Sequence, residues 1–238
     1  MGRIYLQEKT HIVGMHPNRR LFAKEIVDYC LKINNYEKPD PWRNLGIWEF
    51  VGMTGRWSQV MGVYECPDGW NTLSAMIVQT QKQPSAELAA TYRAVNGLRS
   101  GGCDEILESL DGCPSYEDLK GQQPDRSLLV VDQAQVQPGK EEDYGEAVLR
   151  EWLPIMEDHG HQLAGHYKGA LTDGMVITYW ATSVDNYARL KNTGLEMTWR
   201  KKAIPMRRTW RQELWTAAPR SVFSDPNFDY GDTDIRDA

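Results

Sequence analysis

The chain runs through one pattern of strands, turns and helices twice, and this duplication limits its fold more than any single motif does. The opening strand Tyr5-Leu6-Gln7-Glu8-Lys9-Thr10-His11-Ile12-Val13 aligns with Leu129-Val130-Val131-Asp132-Gln133-Ala134-Gln135-Val136-Gln137, which sets Glu8 opposite Asp132. A polar turn follows each strand, Gly14 to Pro17 or Pro138-Gly139-Lys140. Apolar residues then recur at helical spacing, at Leu21-Phe22, Ile26-Val27 and Cys30-Leu31 and again at Tyr144, Val148-Leu149 and Trp152-Leu153. Next comes a strand pair in each half, Asn44 to Val51 with Ser58 to Cys66, and Gln162 to Ala170 with Met175 to Thr182. The pairs turn at Met53-Thr54-Gly55-Arg56 and at Thr172-Asp173-Gly174, a hairpin signal. Asp68-Gly69-Trp70-Asn71-Thr72-Leu73 and Asp185-Asn186-Tyr187-Ala188-Arg189-Leu190 read as matching helix starts with Asp in the capping role. Each copy closes on a strand expected at a sheet edge, Asp104 to Glu108 or Thr209 to Trp215. The stretch Gln81 to Ala89 reads as an insertion in the first copy.

The order βαββαβ, occurring twice, is the ferredoxin-like topology of the α+β class. Its antiparallel sheet carries helices on one face and needs cover on the other. Two such sheets can cover one another, giving a dimeric α+β barrel-like pseudo-dimer within one chain and a pocket between the sheets. The boundaries expected are 1–125 for the first unit, 126–220 for the second and 221–238 for an acidic tail. The start Ile4-Tyr5-Leu6-Gln7-Glu8, the strand with Trp48, the hairpin around Gly55, the strands with Tyr64-Glu65 and Tyr179-Trp180 and the following Asp-x-aromatic helix start resemble the NIPSNAP family. That resemblance implies the dimeric α+β barrel superfamily, whose members include cofactor-free monooxygenases, cyclases, isomerases, lyases, dehydratases, haem enzymes and proteins without known activity.

Composition removes several classes. A formal charge of −6 argues against general binding to nucleic-acid backbone. The one basic cluster, Arg200-Lys201-Lys202 with Arg207-Arg208 and Arg211, reads as the end of a helix, where cations suit the dipole. Hydrophobic residues at 41% and charged residues at 25% fit a folded domain and no membrane span. Cysteines 30, 66, 103 and 113 form neither a metal knuckle nor a disulfide framework, and no leader is apparent. Reduced thiols in the cytoplasm are expected, with Cys103 and Cys113 the one pair to test for a bridge. Nucleotide-loop, serine-elbow and zincin motifs are missing.

Histidines stand at 11, 16, 159, 161 and 166. His159, His161 and Asp158 offer metal-ligand chemistry, but His161 and His166 are five apart and point to opposite faces of a continuous strand, so no metal site is expected. His166, in mid-strand, is the candidate acid or base, with Trp48 as its counterpart in the first copy. Asp132 or Glu8 is the carboxylate that would orient it. Tyr64 and Tyr179, read as matching positions, offer phenols to a developing oxyanion. Lys168 shares the His166 face, and Trp48 and Trp180 would help line the pocket. Trp70 and Trp152 fit buried helix faces.

The function expected is therefore a small-molecule enzyme without an organic cofactor. It would carry out proton-transfer chemistry of the lyase, dehydratase, isomerase or cyclase kind on an apolar or aromatic substrate between the sheets. His166, Asp132, Tyr179 and Glu8 would be catalytic, and Trp48, Tyr64, Trp180 and Lys168 would bind. The alternatives are a hydrophobic-ligand-binding or interaction protein without turnover, and a haem- or iron-dependent oxidoreductase, since one histidine suffices as a haem ligand. Pairing of the tandem chain into a homodimer fits each of these readings.

Overall fold

The computed structural model describes residues 2–14, 16–35, 42–51, 58–82, 84–120, 127–219 and 221. The first copy runs β1 (Ile4–Ile12), α1 (His16–Asn35), β2 (Arg43–Phe50), β3 (Gln59–Cys66), α2 (Trp70–Gln81), α3 (Ala86–Val95) and β4 (Arg99–Ser109), followed by a short α4 (Tyr116–Lys120). The second runs β5 (Leu128–Val136), α5 (Glu141–Ala147), a π turn (Val148–Trp152), α6 (Leu153–Asp158), β6 (Gln162–Gly169), β7 (Met175–Thr182), α7 (Val184–Thr193), α8 (Leu195–Ala203) and β8 (Arg207–Ala217). The turn at 53–56 and the tail from 222 lie outside the described residues.

Local chemistry explains most of the boundaries. Ser85 caps α3 by accepting the Leu88 N–H, and Ser183, rather than Asp185, caps α7 by accepting the Asn186 N–H. Gly194, at φ 74°, ends α7 and lets α8 start at a new angle. The break between α2 and α3 is its counterpart. Both copies break their second helix here, and the first copy carries the longer connection, between β3 and β4, as the insertion expected in it requires.

The strands form a closed, wholly antiparallel barrel in the order β1-β3-β2-β8-β5-β7-β6-β4. The two four-stranded sheets join at two short seams. At one, Trp48, Glu49 and Phe50 of β2 pair with Ala217, Thr216 and Trp215 of β8. At the other, Leu107, Glu108 and Ser109 of β4 pair with Gly169, Lys168 and Tyr167 of β6. The strands expected at edges, β4 and β8, are therefore bonded on both sides, and closure removes the unpaired backbone of an open sheet.

The register corrects the alignment of the copies. Glu8 pairs with Gly62 and Asp104, while Asp132 pairs with Thr178 and Gln212, so Glu8 and Asp132 are equivalent as expected. By the same ladders Tyr64 matches Trp180, not Tyr179, and His166 matches Ile47, not Trp48. Both hairpins carry a bulge at the same place, between Asn44 and Gly46 and between Leu163 and Gly165. A slip of one residue moves a side chain to the opposite face of a sheet. Trp48 and Tyr179 accordingly point into the barrel, while His166, Tyr64, Trp180, Glu8 and Asp132 point out, towards the helices.

Among the described residues, aromatic side chains pack the space between the sheets, where a pocket was expected. Tyr5, Trp48, Phe50, Tyr167, Tyr179 and Trp215 are buried in one core, with Tyr167 centred 4.8 Å from Tyr5 and 5.3 Å from Tyr179, and Phe50 4.9 Å from Trp215. Burying such side chains stabilises by about 1.5–3 kcal/mol each. A buried ion pair joins the copies through this core, Lys9 Nζ to Glu213 Oε2 at 2.8 Å, with the ammonium 5.4 Å from the Trp215 ring. On the outer faces, Phe22, Val27 and Cys30 of α1 cover Ile47, Val60 and Tyr64, while Trp152 and Trp199 stack at 6.0 Å in the core that holds Val130 and Trp180. Trp70, expected in a core, is 45% exposed.

Candidate functional site

On the outer face of the second sheet, register places His166, Thr178, Asp132 and Gln212 side by side on β6, β7, β5 and β8. His166 is fully buried. Its Nδ1 lies 3.0 Å from Thr178 Oγ1, and its backbone N–H donates to Cys113 Sγ at 3.3 Å. Nε2 is turned to the backbone of Gly145 on α5, with which it interacts. A Cβ added at Gly145 would sit 2.9 Å from Nε2, so glycine is what lets the helix approach the ring this closely. The helix is fixed at its start by Glu141, whose carboxylate accepts the Gly174 N–H of the β6–β7 turn at 2.6 Å. Beyond Gly145 it widens into the π turn, a feature frequent at functional sites. Burial pushes the His166 pKa down to about 4, so the imidazole is neutral at pH 7.

His166 forms part of the lining of a cleft of about 800 Å³ between the β4–β6 seam, the 110–113 loop and α5. Apolar wall comes from Leu110 and Leu149, and the remainder is mainly charged. Lys168 reaches Glu142 at 2.7 Å and Glu108 at 3.6 Å, which lowers the Glu142 pKa and raises that of the lysine. Arg3 donates from Nε to the Tyr5 hydroxyl at 2.9 Å and from Nη2 to the Cys113 carbonyl. The cleft lies outside the barrel and is more polar than an apolar or aromatic substrate requires.

Asp132 shares the His166 row without touching it. Its carboxylate accepts from Trp180 Nε1 and from Gln212 Nε2, each at 2.9 Å, and the Gln212 carbonyl accepts from Tyr187 Oη at 2.9 Å and Lys191 Nζ at 2.7 Å. Burial outweighs those donors and pushes the Asp132 pKa up to about 6. Glu8 is also pushed up to about 6, first by burial and then by the charge of Asp104 across the β1–β4 ladder. It lies on the other copy, remote from His166. Tyr64 hydrogen-bonds the Cys30 thiol beneath α1, and Tyr179 Oη donates to Gln7 inside the barrel. Of the eight residues expected at a site, the structure brings His166 and Lys168 to one cleft, adds Asp132 and Trp180 on the same sheet face, and separates Glu8, Tyr64, Tyr179 and Trp48 from them.

Residues able to hold a cofactor are few. His159 Nδ1 lies 2.8 Å from the Ile155 carbonyl at the end of α6, and His161 is buried with a pKa pushed down to about 4 by that burial. Among the described residues no three His, Cys, Asp or Glu side chains converge as metal ligands. Haem does not fit the cleft, because its imidazole nitrogen is covered by Gly145 and its walls carry carboxylates. All four cysteines are free, Cys103 and Cys113 included. Among the described residues no helix is long and apolar enough to cross a membrane.

No protein-family model and no curated protein matches the chain. Solved structures do match over nearly its whole length. A candidate monooxygenase from Fusobacterium nucleatum superposes with a TM-score of 0.64 at 10% identity, covering 91% of this chain and 93% of that one. A second, from Lactobacillus acidophilus, gives 0.61 at 11% identity over 92% and 95%. A variant chlorite dismutase from Candidatus Nitrospira defluvii gives 0.53 at 12% identity over 92% of each chain. The fold is that of the dimeric α+β barrels. At these identities the likeness is one of fold, and it does not confirm the NIPSNAP family.

Within this dimeric α+β barrel, the site residues that sequence reasoning missed are Thr178, Gly145, Gln212 and Cys113. Gly145 left a signal, being a glycine inside a helical pattern, where it costs about 1 kcal/mol relative to alanine and so marks a close approach. Thr178 and Gln212 left none, since their roles depend on strand neighbours distant in sequence.

Proposed function

We propose that the protein is a small-molecule enzyme whose proton-transfer step is centred on His166, without an organic cofactor. The observation that supports this most is a buried, neutral imidazole with one nitrogen beside the Thr178 hydroxyl and the other against the Gly145 backbone, at the edge of an 800 Å³ cleft. With Nδ1–H donated to Thr178, Nε2 presents its lone pair and acts as the base; the reverse tautomer makes it the acid. The π turn after Gly145 gives α5 a place to shift and admit a substrate to Nε2. Asp132, at the centre of the same sheet face, tunes the field around the row from a distance and exchanges no proton with His166. The lyase, dehydratase, isomerase and cyclase reactions that remove a proton from carbon use such a step. The NIPSNAP-like residues belong to the scaffold in this reading, and cytoplasmic location and homodimerisation belong to the same proposal.

Deuterium uptake from D2O into 2-butanone tests the chemistry directly. Wild-type protein is expected to exceed the buffer rate and His166→Ala to lose about 100-fold or more of that excess. Because the base must be neutral, the rate rises through pH about 4 and is level above it. Equal exchange by wild type and His166→Ala would remove the reading.

A further inference from the structure

Closure uses β4 and β8 unevenly along their length. β4 pairs with β1 from Arg99 to Glu108, whereas β6 meets only its last three residues, Leu107 to Ser109. In an antiparallel pair the hydrogen bonds alternate along each strand. The Ser109 N–H donates to the Arg3 carbonyl, so Leu107, Glu105, Cys103 and Gly101 also turn their backbone groups to β1. Ile106, Asp104 and Gly102 turn theirs away. The Ile106 carbonyl is met by the Ala170 N–H, and among the described residues no strand pairs with Asp104 or Gly102 on that side. Residues 99–104 are exposed.

β8 overhangs its own seam in the same way, pairing with β2 only from Trp215 to Ala217, but its overhang is guarded. Arg208 and Arg211 are exposed there, and Arg200 and Arg207 lie over the Trp210 ring at 4.4 and 5.1 Å. Charged side chains on an edge oppose pairing with another chain. The β4 overhang has no charge at its centre, Ser100-Gly101-Gly102-Cys103, and opposite charges at its ends, Arg99 against Asp104 and Glu105. Ser100 is the extra residue of a bulge, since Gly101 pairs with His11 and Arg99 with Ile12. Arg99 therefore shares a face with Asp104, whose partner Glu8 stands four residues from Ile12 on β1.

We infer that the β4 overhang pairs with the same edge of a second copy of the chain, antiparallel about a two-fold axis at Gly102. Such an axis lets the two Gly102 residues exchange both of their outward backbone hydrogen bonds. It also sets Arg99 of each copy towards Asp104 of the other, on one face. A strand with opposite charges at its two ends is complementary to itself when reversed, and a contact about a two-fold axis requires that self-complementarity. Pairing through β8 would instead crowd the arginines of two copies. The contact is short and belongs to the weak, concentration-dependent class. It goes beyond the chemistry of His166 and supplies the surface on which whole chains pair. A monomeric chain would leave the proton-transfer reading standing, and failure of that reading would leave this one.

The test is the mass of the full chain by sedimentation equilibrium, from micromolar to submillimolar, with hydrogen exchange at both ends of the series. A reductant is present because Cys103 is free and exposed. Mass is expected to rise from one chain to two and to stop there. The Gly102 and Asp104 amides should exchange about tenfold more slowly in concentrated than in dilute protein. That comparison is made on the unaltered chain and depends on no variant folding. Arg99→Glu and Asp104→Lys should each weaken self-association about tenfold or more, and their equimolar mixture should recover it, since each supplies the charge the other lacks. Mixing would not repair damage to a fold. A chain that stays single at every concentration, or amides that exchange equally across the series, would overturn the inference. So would association as strong in both variants as in wild type, or a mixture of folded variants that recovers nothing. Growth beyond two chains, the outcome of β4 joining β8 of the next copy, would overturn it as well.

Discussion

Glu8 and Asp132 occupy equivalent places on β1 and β5, and both are carboxyls whose pKa burial raises to about 6. A carboxyl that binds its proton more tightly when folded contributes stability below its unfolded pKa and loses that contribution as pH rises through 6. Among the described residues Glu8 accepts one long hydrogen bond, from the Thr10 hydroxyl at 3.5 Å, and faces Asp104, whose charge outweighs that of Arg99. Glu8→Gln is therefore expected to be more stable than wild type by about 1 kcal/mol at pH 7.5 after allowance for screening, and equal to it near pH 4.5. Denaturant unfolding at the two pH values checks this. His166 works in the other direction. Its depressed pKa means that stability is present above pH 6.5 and is lost as pH falls towards 4. Between those limits His166→Gln should show a shallower dependence of unfolding free energy on pH, by up to about 1.4 kcal/mol per unit.

At the scale of elements, α5 is positioned by contact more than by helix propensity. Alanine is the better helix former, yet the Cβ of Gly145→Ala would meet the rigid His166 ring and, at 3.0 Å, Leu110 Cδ1. The clash, about 1–3 kcal/mol, exceeds the propensity gain of about 1 kcal/mol. The variant should melt lower than wild type and show a displaced His166 resonance. The strands and helices themselves were legible in the sequence, because alternation along β1 and β5 and helical spacing in α1 and α5 are local patterns. The facing of β6 was not. Each hairpin holds a bulged residue, Leu45 or Ala164, that alternation does not reveal, and aligning the hairpins by their ends paired His166 with Trp48. Aligning Gly46 with Gly165 would have paired His166 with Ile47 and turned it outward, where the cleft is. The cleft could not be read at all, since it is made where β4 of one copy meets β6 of the other.

For the molecule as a whole, one chain supplies both sheets, so the barrel closes without a partner, and any dependence of its melting temperature on protein concentration reports the proposed pairing of whole chains and not barrel closure. Expressed apart, residues 1–125 would leave Tyr5, Trp48 and Phe50 uncovered. That fragment should self-associate or precipitate, and mixing with 126–238 should recover a single species of the full chain's size on gel filtration. Lys9→Met probes the bond between copies: leaving Glu213 buried beside Arg211 alone should cost about 3 kcal/mol or more in unfolding experiments.

The pairing of Ile47 with His166 has a consequence for how such a barrel can change. Two identical subunits carry every substitution at both ends of their axis, so an imidazole gained at one end appears at the other whether or not it is tolerated there. Encoding the halves separately removes that coupling. In this chain one end of the axis keeps an isoleucine beneath α1 while the other holds a histidine beside a glycine, and each is free to be selected for its own neighbours.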